Sequence, residues 1–302
     1  MHCLIISLLC SVPVLAQQAS APRASQPPLF RSHSSELVVL PVTVTDRAGR
    51  LVTDLPRERF NVYDEGRLQA IRAFSSEDIP VSIALVIDDS GSMGQKLGQV
   101  TAASLAFARG SHPEDELLII EFNEEVRDAL GGRRLVAADL PDLERALRTL
   151  RPDGQTALYD ALMDGLSHLD EATHSRRVLV LVSDGGDNAS RATLDEVLAR
   201  AQRSNVTMYT IGLFDEYARD SNRGVLKRLA EATGGERFLP KSPGPLLAAC
   251  EQIAREIRNS YTVGYEPPDR DGRFHRLRVE LTDPRYKNLK VRTRPGYVAA
   301  EE

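Results

Sequence analysis

The stretch that decides the fold is Val81-Ser82-Ile83-Ala84-Leu85-Val86-Ile87-Asp88-Asp89-Ser90-Gly91-Ser92-Met93. Its first seven residues are almost wholly apolar and rich in β-branched side chains, the pattern of a strand buried on both faces. Such strands belong to parallel sheets covered by helices. The run then breaks into two carboxylates, two hydroxyls and a glycine. That is an oxygen-rich loop at the carboxyl end of a strand, where open α/β sheets place their ligands.

Outward from this stretch the pattern repeats. Apolar strands are predicted at 117–122, 178–182 and 206–213, with a short apolar segment at 126–130. Helical spacing covers 97–107, 140–150, 157–169, 194–201, 225–233 and 246–257. Strands alternating with helices imply right-handed crossovers and a doubly wound, mostly parallel, Rossmann-like α/β sheet. The flanks differ. Residues 37–45, 51–52, 60–63 and 71–74 read as short strands broken by turn signals such as Asp46-Arg47-Ala48-Gly49 and Asp64-Glu65-Gly66, and 260–265, 274–281 and 289–293 read as three more. Four strands before and three after the α/β unit can close one small sandwich. The expected layout is an α/β domain over 79–257 inserted into an all-β, sandwich-like domain split between 36–78 and 258–300. The alternative is two separate β appendages.

A chain of 302 residues with 42% hydrophobic content can bury a sizeable core without a disulfide or metal staple. Its 38 Lys+Arg against 43 Asp+Glu give a net charge of −5, which argues against a generic nucleic-acid binder. Residues 1–16 carry no charged side chain, and the small Val14 and Ala16 precede Gln17 as at a signal-peptidase site. This predicts a cleaved secretory signal peptide and a secreted or periplasmic, extracytoplasmic location. The Ser-, Pro-, Gln- and Ala-rich residues 17–35 read as a flexible leader. Removal of 1–16 takes away Cys3 and Cys10 and leaves Cys250, so no intrachain disulfide is expected.

Three loops at predicted strand or helix ends gather the candidate chemistry. They are Asp88-Asp89-Ser90-Gly91-Ser92-Met93, Asp153-Gly154-Gln155-Thr156 and Ser183-Asp184-Gly185-Gly186-Asp187-Asn188. They offer carboxylates and hydroxyls and no histidine or thiol, a donor set for a hard divalent cation such as Mg²⁺, Mn²⁺ or Ca²⁺. Ser90 and Ser92 at alternate positions, two and four after Asp88, can point three oxygens one way. Asp89 reads as a solvated loop residue, Asp187 and Asn188 as a helix-capping turn, and Asp160 as a surface carboxylate near a helix start. Asp46 and Asp64 read as turn residues, and Cys250 as a small buried apolar residue. The nine Lys/Arg against three acidic residues in 270–294 read as the solvated face of alternating strands.

At these loops the sequence resembles the von Willebrand factor type A (VWA) domain family. Asp88-Asp89-Ser90-Gly91-Ser92 fits the Asp-x-Ser-x-Ser of its metal-ion-dependent adhesion site. Gly154-Gln155-Thr156-Ala157-Leu158 resembles its Gly-x-Thr-x-Leu, and Ser183-Asp184-Gly185 its later Thr/Ser-Asp-Gly. The resemblance covers about residues 80–257. Val44-Thr45-Asp46-Arg47-Ala48-Gly49 and Phe60-Asn61-Val62-Tyr63-Asp64-Glu65-Gly66 add a resemblance to a bacterial secreted group of such proteins. The resemblance implies a cation, Mg²⁺ first, at a site formed by Asp88, Ser90, Ser92, Thr156 and Asp184, with Asp88 and Asp184 often acting through water. It further implies a partner protein whose Asp or Glu fills an open coordination position. The function expected is therefore metal-dependent protein binding. The alternatives are a metal-dependent enzyme or chelatase-like assembly subunit, or a structural envelope module. An enzyme fits less well. No Gly-x-Ser-x-Gly elbow or Gly-x-x-x-x-Gly-Lys loop is present, and no histidine stands at a strand's carboxyl end.

Overall fold

The computed structural model describes residues 37–214 and 221–301, all within one compact unit. The predicted signal peptide and leader lie outside the described residues.

The first flank supplies β1 (Val38–Thr45), β2 (Phe60–Asp64), β3 (Arg67–Gln69) and β4 (Ile71–Ser75). The α/β region follows as β5 (Ser82–Asp88), α1 (Leu97–Gly110), β6 (Glu116–Phe122), β7 (Val126–Asp128), β8 (Leu135–Val136), α2 (Leu140–Leu147), α3 (Leu158–Asp170) and β9 (Arg177–Ser183). It continues through α4 (Leu194–Arg203), β10 (Val206–Gly212), α5 (Arg223–Thr233), β11 (Arg237–Phe238) and α6 (Pro243–Arg258). The chain closes with β12 (Tyr261–Tyr265), β13 (Phe274–Leu281), β14 (Lys290–Arg292) and β15 (Gly296–Val298).

The central sheet runs β11-β10-β9-β5-β6-β7, with β8 also paired to β6. Its five main strands are parallel, and β7 and β8 join antiparallel at the β6 edge. The apolar run of β5 shows why it had to be apolar throughout. Ile83, Leu85 and Ile87 pack into the core under α1, α2 and α6, while Ala84 and Val86 pack into the core under α3, α4 and α5. A strand with helices on both faces has no side left for polar residues. From β5 the chain moves to β6 on one side, and from β9 to β10 on the other. The sheet's switch point therefore falls between β5 and β9, where the crossovers diverge and leave a crevice.

The flanks form two four-stranded sheets, β14-β1-β12-β4 and β15-β13-β2-β3. Each mixes strands from before and after the α/β region. One core joins them, with Leu40, Val62 and Val42 beside Val263, Tyr261 and Val279. Pro41 is tolerated inside β1 because β14 pairs only with residues 43–45, so the missing N–H is owed to no ladder on that side. The Tyr261 hydroxyl accepts the Leu55 N–H at 3.0 Å and donates to the Val52 carbonyl at 2.8 Å, pinning the β1–β2 connection. The predicted strand at 51–52 is only an isolated bridge from Leu51 to Thr45. The short β3, β8, β11 and β15 lack any alternating run long enough to be seen in sequence.

Two corrections concern charge. Asp64 does not serve a turn. It is fully buried at the end of β2, where its carboxylate accepts bonds from Tyr265 Oη (2.7 Å), Tyr297 Oη (3.0 Å) and His275 Nδ1 (2.9 Å). Its neighbours are strands, and a carboxylate in that setting is held by donors instead of water. The basic C-terminal segment is only partly a solvated face. Arg276 and Arg278 are exposed, but Arg292 pairs with the buried Glu256 of α6 and with Glu236, and Arg294 is buried against the end of α4. Those two arginines fasten the sandwich to the α/β region. Asp46 does serve a turn, accepting the Ala48 and Arg50 N–H groups.

Candidate functional site

The crevice between β5 and β9 is where the acidic loops meet. Asp88 is the last residue of β5 and Ser183 the last of β9, so the two strands present them side by side. Ser183 Oγ donates to Asp88 Oδ2 at 2.6 Å. The Ser90 N–H and hydroxyl both donate to Asp88 Oδ1, at 3.0 and 2.5 Å. Ser90 Oγ lies 3.2 Å from Ser92 Oγ, and Ser92 Oγ donates to Asp184 Oδ2 at 3.1 Å. Four of the five sequence-predicted residues thus form one continuous run, Asp88–Ser90–Ser92–Asp184, across the switch point.

The fifth, Thr156, makes no hydrogen bond to that run, and its loop is held beside the first loop through the backbone. Its N–H donates to Asn188 Oδ1 at 2.8 Å, and its carbonyl accepts the Asn188 and Ala189 N–H groups. The loop before it is fastened to the first loop by the bonds Gly91 N–H to Gly154 O (3.3 Å) and Asp153 N–H to Asp89 O (3.0 Å). Gly154 holds φ of +72°, and a Cβ there would fall 1.6 Å from a Glu124 carboxylate oxygen that accepts the Gln155 N–H. The left-handed backbone favours glycine, and a Cβ would displace the exposed Glu124 carboxylate from the Gln155 N–H.

The donor set fits a hard cation. Each serine hydroxyl spends its proton on a carboxylate, which leaves oxygen lone pairs to face a cation. The Thr156 hydroxyl makes no hydrogen bond among the described residues. Among the described residues no group of three or more His, Cys, Asp or Glu side chains is placed to hold a metal. The set is instead two carboxylates and three hydroxyls. Burial pushes the Asp88 carboxyl up to about 6, against the lowering effect of its bonds from Ser183 and Ser90, and the nearby Asp184 charge adds to the rise. This is the behaviour of a buried anion short of positive charge.

Several neighbours escaped the sequence reading. Asp89 is not solvated: it is fully buried, points to Arg127 (3.1 Å), and is pushed up to about 6 by burial in spite of that partner. Lys96 is buried beside the site and donates to the Ser92 carbonyl (3.3 Å) and the Leu213 carbonyl (3.0 Å), tying the first loop to the end of β10. Ser183 was visible as the end of an apolar run, but only the β5–β9 pairing gives it Asp88 as a partner. Asp187 and Asn188 cap, but they cap across loops: Asp187 Oδ1 accepts the Tyr159 N–H at the start of α3 (3.3 Å). Asp160 accepts the Arg191 and Ala192 N–H groups and braces that same loop from the surface.

Residues 82–243 match the von Willebrand factor type A domain, more than half of the chain. The chain belongs to that family. VWA domains are protein-interaction modules. The chain is 27% identical over 242 residues to the inter-alpha-trypsin inhibitor heavy chain H2 of Mus musculus, a match covering 72% of this chain and 24% of that protein. It is 27% identical over 198 residues to heavy chain H3 of Homo sapiens, covering 57% and 22%. This VWA chain therefore spans about a quarter of the length of the curated relatives it matches. Among solved structures, a von Willebrand factor type A protein from Catenulispora acidiphila superposes with a TM-score of 0.54 at 17% identity, over 91% of this chain and 77% of that one. Proximal thread matrix protein 1 from the mussel byssus gives 0.51 at 15% identity, over 65% and 51%. These two likenesses show the shared fold.

Proposed function

We propose that this VWA chain binds a protein partner through a divalent cation, Mg²⁺ ahead of Mn²⁺ or Ca²⁺, held by Asp88, Ser90, Ser92, Thr156 and Asp184, and that it catalyses no reaction. The observation that carries this reading is the run of hydroxyl–carboxylate bonds from Asp88 to Asp184 across the β5–β9 crevice. When bound, the cation supplies a positive centre that an Asp or Glu of the partner can complete. The chain's own residues do the rest. Ser183 and Ser90 orient the Asp88 carboxylate, the Gly186 N–H orients Asp184 (3.0 Å), and Asn188 fixes the loop that presents Thr156. Few direct carboxylates leave the cation electron-poor and receptive to an outside anion. The loops hold no imidazole or thiol to act as a general base or nucleophile, which supports binding over catalysis. The apolar 1–16 segment supports an extracytoplasmic location, and no helix among the described residues is long and apolar enough to cross a membrane.

The test is calorimetric titration of Mg²⁺ into the wild type, Asp88→Ala and Thr156→Ala, paired with capture of partners from an envelope extract with and without EDTA. Wild type binds Mg²⁺ and captures a partner that EDTA releases, while both variants melt near the wild type and do neither. Capture that survives EDTA and both substitutions overturns the proposal.

A further inference from the structure

One cavity among the described residues shares no lining residue with the acidic loops. It lies beside the end of α4 and the start of β10, at the opposite end of the parallel strands from Asp88 and Asp184. The sandwich closes its other wall. Its volume is about 540 Å³, in the range of roughly 300–1,000 Å³ usual for small-molecule sites.

Its chemistry is lopsided. Three of the charged side chains lining it are arginines, Arg203, Arg270 and Arg294, and one is a carboxylate, Glu301. None of the three arginines has an ion-pair partner among the described residues, although arginines elsewhere in this chain pair freely, as Arg285 does with Asp283. Arg294 is the clearest case. It is 4% exposed, and its N–H groups go to the neutral carbonyls of Gly296 (2.8 Å), Ser204 (2.9 Å) and Gln202 (2.6 Å). Burial without a counter-charge lowers its pKa to about 10. A buried cation in that state is a standing electrostatic cost that an anion nearby would offset. Arg203 and Arg270 are exposed and have free donors, so they can bond an anion directly. The wall also carries the polar Gln202 and Asn205 and an apolar part formed by Val38, Pro267, Val298, Ala299 and the ring of Tyr297.

We propose that this cavity binds an organic anion, a carboxylate that carries an apolar group, with Arg203 and Arg270 gripping the carboxylate in the field of Arg294 and the apolar group lying on Val38, Pro267 and Val298. The ligand touches α4 and the sandwich together, so it clamps the two regions. The site shares no residue with the acidic loops, and its test stands apart from theirs. Sodium octanoate is the probe, titrated into the full chain in EDTA, with sodium sulfate and octanol as the charge-only and apolar-only controls. Octanoate binds saturably at one site, binds at least about tenfold more tightly than either control, and weakens by about tenfold or more in Arg203→Ser/Arg270→Ser while the melting temperature without ligand is unchanged. Failure of octanoate to bind, equal binding by the double variant, or a match by sulfate or octanol overturns the assignment.

Discussion

Asp64→Asn tests the buried charge at the centre of the sandwich. The wild-type carboxylate is fully buried and accepts three bonds, from two tyrosine hydroxyls and from His275, whose other ring nitrogen lies 3.1 Å from Asp271. Burial alone would lower the His275 pKa; its bonds to Asp64 and Asp271 outweigh that and raise it. The substitution keeps the shape but removes the charge, replacing one acceptor oxygen by an N–H₂ that faces donors. Breaking a buried pair from one side costs about 3–5 kcal/mol, and hydrogen bonds to charged groups are worth about 1.5–3 kcal/mol each, so a loss of about 3–5 kcal/mol is expected. The sign with pH follows from the direction of the His275 shift. A histidine raised in the folded state contributes its full stability below its unfolded pKa of about 6.5 and loses it as pH rises through the folded value. The penalty of Asp64→Asn is therefore larger at about pH 6 than at about pH 9. Urea unfolding followed by circular dichroism, with the slope checked for constancy, measures both. A loss under about 1 kcal/mol near pH 6, or one that grows with pH, refutes the reasoning.

Three further outcomes are expected. Gly154→Ala forces a left-handed residue to carry a Cβ into the Glu124 carboxylate; it costs about 1–2 kcal/mol from the backbone alone, and Mg²⁺ titration shows weakened binding while the far loops stay intact. Leu162→Ala empties a fully buried position on α3, beneath the sheet face that carries Ala84 and Val86; urea midpoints register a loss of about 2–5 kcal/mol without a change in slope. Cys250 is buried on α6 and burial pushes its thiol up to about 12; in a chain with Cys3→Ser and Cys10→Ser, a disulfide reagent labels nothing in the folded state and one thiol in denaturant.

The α/β region was legible because its signals are local. A strand covered on both faces must be apolar at every position, and a helix on a sheet must repeat its apolar residues with its turn; β5 and α3 show both. The site loops were legible because Asp88, Ser90 and Ser92 lie within five residues. What escaped was whatever needed a partner from elsewhere in the chain. Asp64 looks like half of a turn until β2 pairs with β13 and Tyr265 arrives from the other sheet. Asp89 looks like a solvated loop residue until β7 brings Arg127 over it. Arg292 and Arg294 alternate like surface residues until α4 and α6 pack against them.

Sequence alone determined the order of the longer elements, the layered class of the α/β region, and the residue types offered at the ends of its strands, because each depends on periodicity and composition within a few turns or strands. Tertiary structure alone decided which side chains meet. The strand order placed the switch point between β5 and β9 and so joined Asp88 to Ser183 and Asp184, about a hundred residues apart. It also threaded the two flanks into shared sheets and left three arginines around one cavity without an ion-pair partner among the described residues. Contacts over such separations are set by how sheets and helices close on a common core, and no local pattern in the chain encodes them.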